Sequence, residues 1–253
     1  MFLITDINDI PFLNCPSALA IGSFDGVHLG HQTLFQHLRA KLPPHGILTA
    51  LTFSNHPSHI FTPKSPIPLI SPPLQKVKHL FDYGIDIVIF LPFTKEFANI
   101  SFKTLLTQLH SSLSFSHLAF GTGAVLGKNR EGDETHIRHL APQLGYEVDY
   151  LPKSLLDGTP ISSGRIRTLI LKNAFANIKQ CLCRPYSLMG QIHNNLMYFP
   201  GICLPKEGTY PVHIKTSHGT HPGQAHIFPK TSQIHLTLVD HDSFLPPNVE
   251  IIF

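Results

Sequence analysis

The sequence predicts an α/β domain built on a parallel sheet, followed by a small antiparallel β domain. Across the first two-thirds of the chain, short apolar runs alternate with segments of helical periodicity, which is typical of repeated βα units. A glycine-rich turn joins a strand to a helix within residues 18–35. Beyond residue 185, proline, glycine and short apolar runs dominate, as in a small antiparallel β domain.

Composition sets broad limits on the kind of protein. The chain has 253 residues, of which 42% are hydrophobic and 14% charged, which is ample for a buried core. Its net charge of +3 indicates no nucleic-acid or membrane partner. No apolar run is long enough to span a bilayer, and no signal-peptide layout is present, so we expect a cytoplasmic protein. The four cysteines form no C-x-x-C pair, and we expect reduced structural thiols.

The first βα unit begins near residue 18. The apolar run at residues 18–21 predicts a buried strand, which Gly22 ends. From Gln32 onward the apolar residues recur on one face of a helix. A β-branched and apolar run at residues 47–53 predicts the next strand. Residues 54–73, rich in proline, serine and histidine, predict a long surface loop that is either a binding loop or a plain connector.

The later units follow the same alternation. Apolar residues at helical spacing predict helices at residues 74–83, 102–113 and 133–144. Apolar runs predict strands at residues 85–91, 118–120 and 146–151. Pro142 predicts an early end to the last helix, because proline lacks an amide hydrogen. Ligands of such sheets bind beyond the carboxyl ends of the strands, where the glycine-rich turn lies.

That turn, GSFDGVHLGH at residues 22–31, is suited to bind phosphate. Its glycines allow the backbone to approach an anion, and free N–H groups at a helix start point toward it. His28 and His31 can donate hydrogen bonds to phosphoryl oxygens, and both can become cationic. A βα turn whose histidines merely face solvent is the alternative, and the length and context of the motif favour phosphate.

A second candidate phosphate motif is ISSGRIR at residues 161–167. Ser162 or Ser163 can cap a helix whose first turns carry Arg165 and Arg167. Positive charge at a helix N-terminus is unfavourable, and a bound polyphosphate would offset it. An ordinary capped surface helix is the alternative.

GSFDGVHLGH resembles the signature of nucleotidylyltransferases with an HxGH motif. In its Phe-Asp-Gly form it is most similar to the bacterial bifunctional riboflavin kinase/FMN adenylyltransferases, also called FAD synthetases. ISSGRIR resembles that family's second motif, with Gly164 where the family has a hydroxyl residue. Further segments resemble the family at residues 52–57, 93–101 and 121–132. The resemblance covers about residues 10–190 and implies a Rossmann-like HxGH nucleotidylyltransferase domain at residues 1–184.

The resemblance implies formation of FAD and pyrophosphate from FMN and ATP, with Mg²⁺ accompanying ATP. His28, His31 and Arg167 would be the catalytic residues. The nucleotide would be bound by Gly22, Ser23, Phe24, Asp25, Gly30, Ser162 and Ser163. Asp25 would orient the turn or assist magnesium, and capping of the loop through an Asx hydrogen bond is the other possibility. The flavin side would involve Asn55, His56, Gly121 and Gly123, although Gly123, Ala124 and Leu126 depart from the family pattern. No protein ligand to a metal is expected.

Residues 185–253 resemble a shortened riboflavin-kinase β-barrel that begins at the junction within residues 184–190. The Thr and Asn that the family uses near magnesium and ATP are absent from residues 198–203. Residues 233–240 resemble the strand that carries the catalytic Glu, but Gln233 stands at that position, leaving Glu207 and Glu250 as other candidate bases. The helical tail expected after the last strand is not found. These departures predict that riboflavin kinase activity is lost.

Three alternatives stay open. The chain could be a fully bifunctional enzyme with riboflavin as a further substrate. It could be an HxGH transferase for another phosphate, such as a pantetheine or glycerol phosphate. It could also bind flavin or nucleotide without catalysis, although the intact His28, His31 and Arg167 argue against this.

Overall fold

A six-stranded parallel sheet forms the first part of the computed structural model, which describes residues 1–239 and 245–253. Its strands are β1 (Phe2–Ile4), β2 (Ser17–Ile21), β3 (Ile47–Phe53), β4 (Ile87–Leu91), β5 (His117–Gly121) and β6 (Glu147–Leu151). They lie in the order β1-β4-β3-β2-β5-β6, and all pairings are parallel. Because β2 lies between β3 and β5, the glycine-rich turn leaves the sheet at the centre of its carboxyl edge.

Helices cover both faces of this sheet. They are α1 (Leu29–Lys41), α2 (Ser58–Phe61), α3 (Pro73–Asp82), α4 (Lys95–Ala98), α5 (Phe102–Leu113), α6 (Glu134–Leu144), α7 (Ser163–Leu171) and α8 (Phe175–Leu182). Phe35 and Leu38 of α1 pack with Leu80 of α3 on one face of the sheet, while Leu106 of α5 and Ile137 of α6 pack on the other. The predicted α/β class with a Rossmann-like sheet is confirmed.

The second part of the chain forms a closed antiparallel barrel. Its strands are β9 (Ser187–His193), β10 (Leu196–Tyr198), β11 (Gly208–Thr216), β12 (Gly219–Phe228), β13 (Gln233–Leu238) and β14 (Asn248–Ile252), and the short hairpin β7 (Leu155–Leu156) and β8 (Thr159–Pro160) precedes them. The barrel strands lie in the order β10-β13-β12-β11-β14-β9, and β10 pairs with β9 to close it. The predicted barrel-like domain is confirmed; residue 240 of the strand expected at 233–240 lies outside the described residues.

The barrel interior and helix α7 share one hydrophobic core. Ile166 and Ile170 of α7 belong to the same buried cluster as Leu188 and Ile214 of the barrel. Ile70, which follows β3 by many residues, also belongs to this cluster. Helix α7, which carries the second candidate phosphate motif, therefore packs against the barrel.

Several local predictions differ from the structure. Helix α1 begins at Leu29 rather than at Gln32, because the His28 carbonyl already accepts the amides of His31 and Gln32. Pro142 does not end α6 early: the helix runs to Leu144 and stops at Gly145, which is left-handed at φ 82°. A proline this close to the helix end removes one hydrogen bond only, and glycine provides the usual stop.

The predicted surface loop at residues 54–73 is wrong for part of its length. It contains the short helix α2, and its final part is buried, with Ile70 only 1% exposed. That part contacts the barrel, which the composition of the segment does not reveal. Across residues 1–239 and 245–253, none of the helices combines the length and apolarity needed to cross a membrane.

Candidate active site

The turn between β2 and α1, residues 22–28, has an unusual backbone conformation. Phe24 and Val27 are left-handed, at φ 44° and φ 40°, although neither is glycine. Such values are uncommon, and they are costly for a β-branched residue such as valine. Both side chains are buried. The surrounding structure must therefore hold the turn in place, and we refer to it as the phosphate turn.

The two histidines of the HxGH motif lie against each other at the end of this turn. The rings of His28 and His31 stack with their centroids 3.6 Å apart and their planes at 17°. Gly30 lies between them in sequence, and a Cβ there would come within 3.3 Å of the His28 ring. The Nδ1 atoms of both histidines are buried and have no hydrogen-bond partner among the described residues. Buried polar atoms are nearly always paired, so the two histidines keep hydrogen-bonding capacity that the described residues do not use.

Burial keeps both imidazoles neutral. It lowers the pKa of His28 from 6.5 to about 4, and the nearby Arg184 adds to the effect. The pKa of His31 is lowered well below 6.5, again mainly by burial, with His28, Lys76 and Arg184 contributing. The histidines therefore act at neutral pH as uncharged hydrogen-bonding groups, and a bound polyanion would favour their protonation.

Asp25 and Arg167 form a buried ion pair that joins the two candidate phosphate motifs. The Asp25 side chain is 1% exposed, and its Oδ2 accepts from Nη2 of Arg167 at 2.6 Å. Its Oδ1 accepts from the Ile70 amide at 2.9 Å. Burial raises the pKa of Asp25, against the opposing effect of Arg167. Each carboxylate oxygen of Asp25 is thus bonded to a group outside the turn, Oδ1 to the Ile70 amide and Oδ2 to Arg167.

The second motif begins helix α7 beside the phosphate turn. Ser162 is the N-cap, and its Oγ accepts from the Arg165 amide at 3.2 Å. Ser163 Oγ donates to the carbonyl of Asp25 at 2.9 Å. Arg165 is directed elsewhere, since its guanidinium donates to carbonyls of the β7–β8 hairpin at Leu156 and Thr159. The structure thus brings the predicted serines and Arg167 to the turn, but not the side chain of Arg165.

Lys76 is a site residue that the sequence did not reveal. It lies on α3, is 2% exposed, and its Nζ donates to the carbonyls of Ser23 and Phe53 at 2.9 and 2.5 Å. Burial lowers its pKa from 10.5 to about 8, while Asp25 acts in the opposite direction. The available signal was a lysine directly beside the buried Val77 on an otherwise amphipathic helix.

Arg184 is the second residue that was missed. Its Nη2 donates to the Gly26 carbonyl at 2.7 Å, and its Nη1 donates to the Val27 carbonyl at 3.1 Å. Gln32 also donates to the Val27 carbonyl, at 2.8 Å. The carbonyl groups of residues 23, 25, 26 and 27 are thus all held by side chains from outside the turn.

The charges around the turn do not cancel. Among the described residues around the turn, three largely buried cations, Lys76, Arg167 and Arg184, outnumber the one buried carboxylate, that of Asp25. Lys76 and Arg167 lie beside Asp25, whereas Arg184 is bonded to carbonyls of the turn and has the partly exposed Asp82 nearby. Buried charges are costly unless they are compensated. A polyphosphate beside His28 and His31 would compensate this excess.

The residues predicted for the flavin side lie along the same edge of the sheet. Asn55 is held by the backbone of Phe93: its Oδ1 accepts from the amide at 2.7 Å, and its Nδ2 donates to the carbonyl at 3.0 Å. His56 Nδ1 contacts Ser58 Oγ at 2.9 Å, and burial, aided by Arg167, lowers the His56 pKa to about 4. Gly121 ends β5, and a Cβ added at Gly121 or at Gly123 would meet no described atom within 4 Å, so the space beside both glycines is open.

An aromatic cluster lies beside Asn55. The rings of Phe53, Phe93 and Phe97 contact one another with centroids 5.0 to 5.7 Å apart, and Phe61 of α2 joins them. Phe61 is 67% exposed. The apolar, partly open surface is compatible with a planar aromatic ligand.

Comparison with known proteins finds relatives of one family. The FAD synthetase family matches residues 12–165. A FAD synthetase of Listeria monocytogenes is 31% identical over 196 residues, which span 77% of this chain and 80% of that protein. A bifunctional riboflavin kinase/FMN adenylyltransferase of the same species is 29% identical over 238 residues, spanning 88% of this chain and 73% of that protein. Another from Buchnera aphidicola is 30% identical, spanning 77% of this chain and 64% of that protein.

A solved structure with the same fold is titled macrolide-efflux protein from Streptococcus pneumoniae. It superposes with a TM-score of 0.83 over 100% of this chain and 89% of that chain, at 19% sequence identity. At that identity the likeness shows the fold alone.

Proposed function

The chain belongs to the FAD synthetase family, and from this premise we propose that it is an FMN adenylyltransferase, which makes FAD and pyrophosphate from FMN and ATP. One observation carries the proposal: the His28–His31 pair, whose Nδ1 atoms have no partner within residues 1–239 and 245–253, lies beside the buried Lys76 and the largely buried Arg184 at the phosphate turn. An adenylyltransferase needs such a place for the charge that develops on the phosphates of ATP.

In the proposed reaction an oxygen of the FMN phosphate attacks the α-phosphorus of ATP. A new P–O bond joins the FMN and AMP moieties, and the bond from the α-phosphorus to the bridging oxygen of the β-phosphate breaks. Pyrophosphate leaves with that oxygen. No side-chain nucleophile is required, because positioning and charge stabilisation account for most of the catalysis in such transfers. His28 and His31 would donate hydrogen bonds to the α-phosphate and to the leaving group.

The start of helix α7 would bind the β- and γ-phosphates. The N-terminus of a helix favours an anion, and Ser162 and Ser163 lie there. Arg167 uses Nε and Nη2 for its bonds to Pro68 and Asp25, so its Nη1 takes part in neither bond. Gly22, Ser23 and Phe24 would lie under the nucleotide. Mg²⁺ would arrive as part of the ATP complex, held mainly by phosphate oxygens.

We propose the flavin site at the same sheet edge, on the side of Asn55 and His56 and of the loop that contains Gly121 and Gly123. The bonds of Asn55 to Phe93 support an indirect role, in which Asn55 holds the segment beneath the aromatic cluster. The replacement of family residues by Gly123, Ala124 and Leu126 leaves this part of the site open to another phosphate substrate.

We propose further that the barrel, at residues 185–253, does not phosphorylate riboflavin at a useful rate. Gln233 begins β13 opposite Tyr198, and an amide cannot accept a proton usefully near pH 7. Glu250, an alternative base, accepts a hydrogen bond from Ser187 Oγ at 2.7 Å. Residues 201–203, which lack the family's Thr and Asn, have backbone bonds to the first domain. The transferase unit would then be residues 1–184.

Incubation of the protein with Mg-ATP and either riboflavin or FMN, followed by chromatography of the flavins, tests these proposals together. We expect FAD from FMN and no FMN from riboflavin. Production of FMN from riboflavin would indicate a bifunctional enzyme if a substitution in the barrel abolishes it and His28→Ala does not. FMN binding without any pyrophosphate release would indicate a binding protein. The four free thiols support a cytoplasmic location for this activity.

A further inference from the structure

A short segment of the loop before α3 connects the barrel to the phosphate turn. We call residues 68–70 the bridging segment. Its central residue, Leu69, pairs with Ile202 as a β-bridge. The Leu69 amide donates to the Gly201 carbonyl at 2.8 Å, and the Cys203 amide donates to the Leu69 carbonyl at 2.7 Å. Residues 201–203 belong to the segment in which the Thr and Asn of the family are absent. In this protein the backbone groups of Gly201 and Cys203 bond to the first domain.

The same segment holds the phosphate turn on its other side. The Ile70 amide donates to Asp25 Oδ1 at 2.9 Å, and the Pro68 carbonyl accepts from Arg167 Nε at 2.6 Å. Ile70 also packs against Gly26, where an added Cβ would lie only 2.9 Å from the Ile70 side chain. A displacement of the bridging segment would therefore move both members of the buried ion pair that joins the two phosphate motifs.

Tyr186 fixes the bridging segment to the barrel. Its side chain is fully buried, and its hydroxyl lies 3.0 Å from the Cys203 carbonyl and 3.3 Å from the Ile70 carbonyl. One hydroxyl hydrogen thus serves two carbonyls, one on each side of the β-bridge. Arg184, two residues earlier, bonds the carbonyls of Gly26 and Val27 directly. Both residues belong to the junction between α8 and β9.

We propose that the junction residues Arg184 and Tyr186 are positioning residues for the phosphate turn, so that the barrel supports adenylyl transfer through the bridging segment. This inference rests on the proposed function. The physical reason for the proposal is the left-handed backbone at Phe24 and Val27. Such a backbone conformation persists only where surrounding contacts hold it in place. Arg184 supplies such contacts directly, while Tyr186 supplies them through Ile70 and Asp25.

Tyr186→Phe tests the proposal, because it removes one oxygen and keeps the buried ring. We expect the Kd for Mg-ATP, measured by titration calorimetry on the full chain, to rise about tenfold, since two buried carbonyls lose their donor. The KM for FMN should change by less than about twofold. Tyr210→Phe is the matched control: it removes a barrel hydroxyl that bonds the Lys206 carbonyl and does not touch the bridging segment. It should leave the Kd for Mg-ATP unchanged.

A double-mutant cycle with Asp25→Asn separates positioning from general loss of stability. If Tyr186 acts through Asp25, the double variant binds Mg-ATP no more weakly than Asp25→Asn alone. Arg184→Lys, which keeps the charge and loses the two-pronged contact, should also weaken Mg-ATP binding. Unchanged ATP affinity in Tyr186→Phe and Arg184→Lys overturns the proposal. Wild-type protein that binds Mg-ATP but makes no FAD would refute the proposed function, while the binding data still test the role of the junction.

Discussion

Replacing His28 by glutamine should reduce the loss of stability that the protein undergoes in mild acid. In the folded protein burial lowers the pKa of His28 to about 4, whereas the unfolded chain has the ordinary value of 6.5. Between these two values the unfolded state binds a proton that the folded state does not. Stability therefore falls as the pH falls through this range, and the His28 contribution is absent above pH 6.5.

The magnitude follows from the size of the shift. Each pKa unit corresponds to about 1.4 kcal/mol, so the shift to about 4 corresponds to about 3 kcal/mol for the 6% exposed His28. Glutamine keeps a hydrogen-bonding side chain and does not titrate. From pH 7 to pH 4, the free energy of unfolding should therefore fall by up to about 3 kcal/mol less in His28→Gln than in the wild type.

Urea unfolding followed by circular dichroism at several pH values measures this difference. His45→Gln, at an exposed position, is the control and should follow the wild type. His56 and His79, whose pKa values are also lowered to about 4, keep part of the acid sensitivity in every variant. An identical pH dependence in His28→Gln and wild type would refute the conclusion that His28 is buried as a neutral imidazole.

Three further predictions concern the reaction. His28→Ala and His31→Ala should each slow FAD formation about 10²-fold with the fold intact, because each loses a preorganised donor to the charged transition state; near-normal turnover in both would contradict the site. Arg167→Ala should raise the KM for ATP about tenfold or more and change the KM for FMN much less, with Arg167→Lys intermediate, as steady-state kinetics would measure; equal effects on both substrates would argue against a phosphate-binding role. The protein should take up protons when it binds Mg-ATP at about pH 6, because the polyanion raises the lowered pKa values of His28 and His31. Calorimetry in two buffers of different ionisation enthalpy measures this uptake, and identical heats of binding in the two buffers would contradict it.

Local patterns in the sequence predicted the parallel sheet and the phosphate turn. Apolar runs such as β2 and β3 are buried on both faces of the sheet, and the glycines of the turn mark where the strand ends. Strand β1 was missed because it has only three residues, of which Phe2 and Leu3 are exposed. Pro142 suggested a boundary, but the actual boundary is at Gly145.

The supports of the site depend on contacts between distant parts of the chain. Lys76 lies more than fifty residues from Ser23 in sequence, and Arg184 lies in the junction that resembles a linker, so no local pattern connects either residue with the turn. Asp25 and Arg167 were each predicted, one in each motif, but their pairing was not. That pairing needs the bridging segment, whose burial follows from contact with the barrel.

The fate of isotopically labelled phosphate tests adenylyl transfer at the phosphate turn most directly. ATP labelled on the α-phosphorus is incubated with FMN and the full-length protein, and flavins and pyrophosphate are separated; a parallel reaction uses ATP labelled on the γ-phosphorus. The proposed mechanism predicts that the α label enters FAD, that the γ label enters pyrophosphate, and that His31→Ala slows both together. Label from the γ-phosphorus in a flavin, or α label that never reaches FAD, would contradict it.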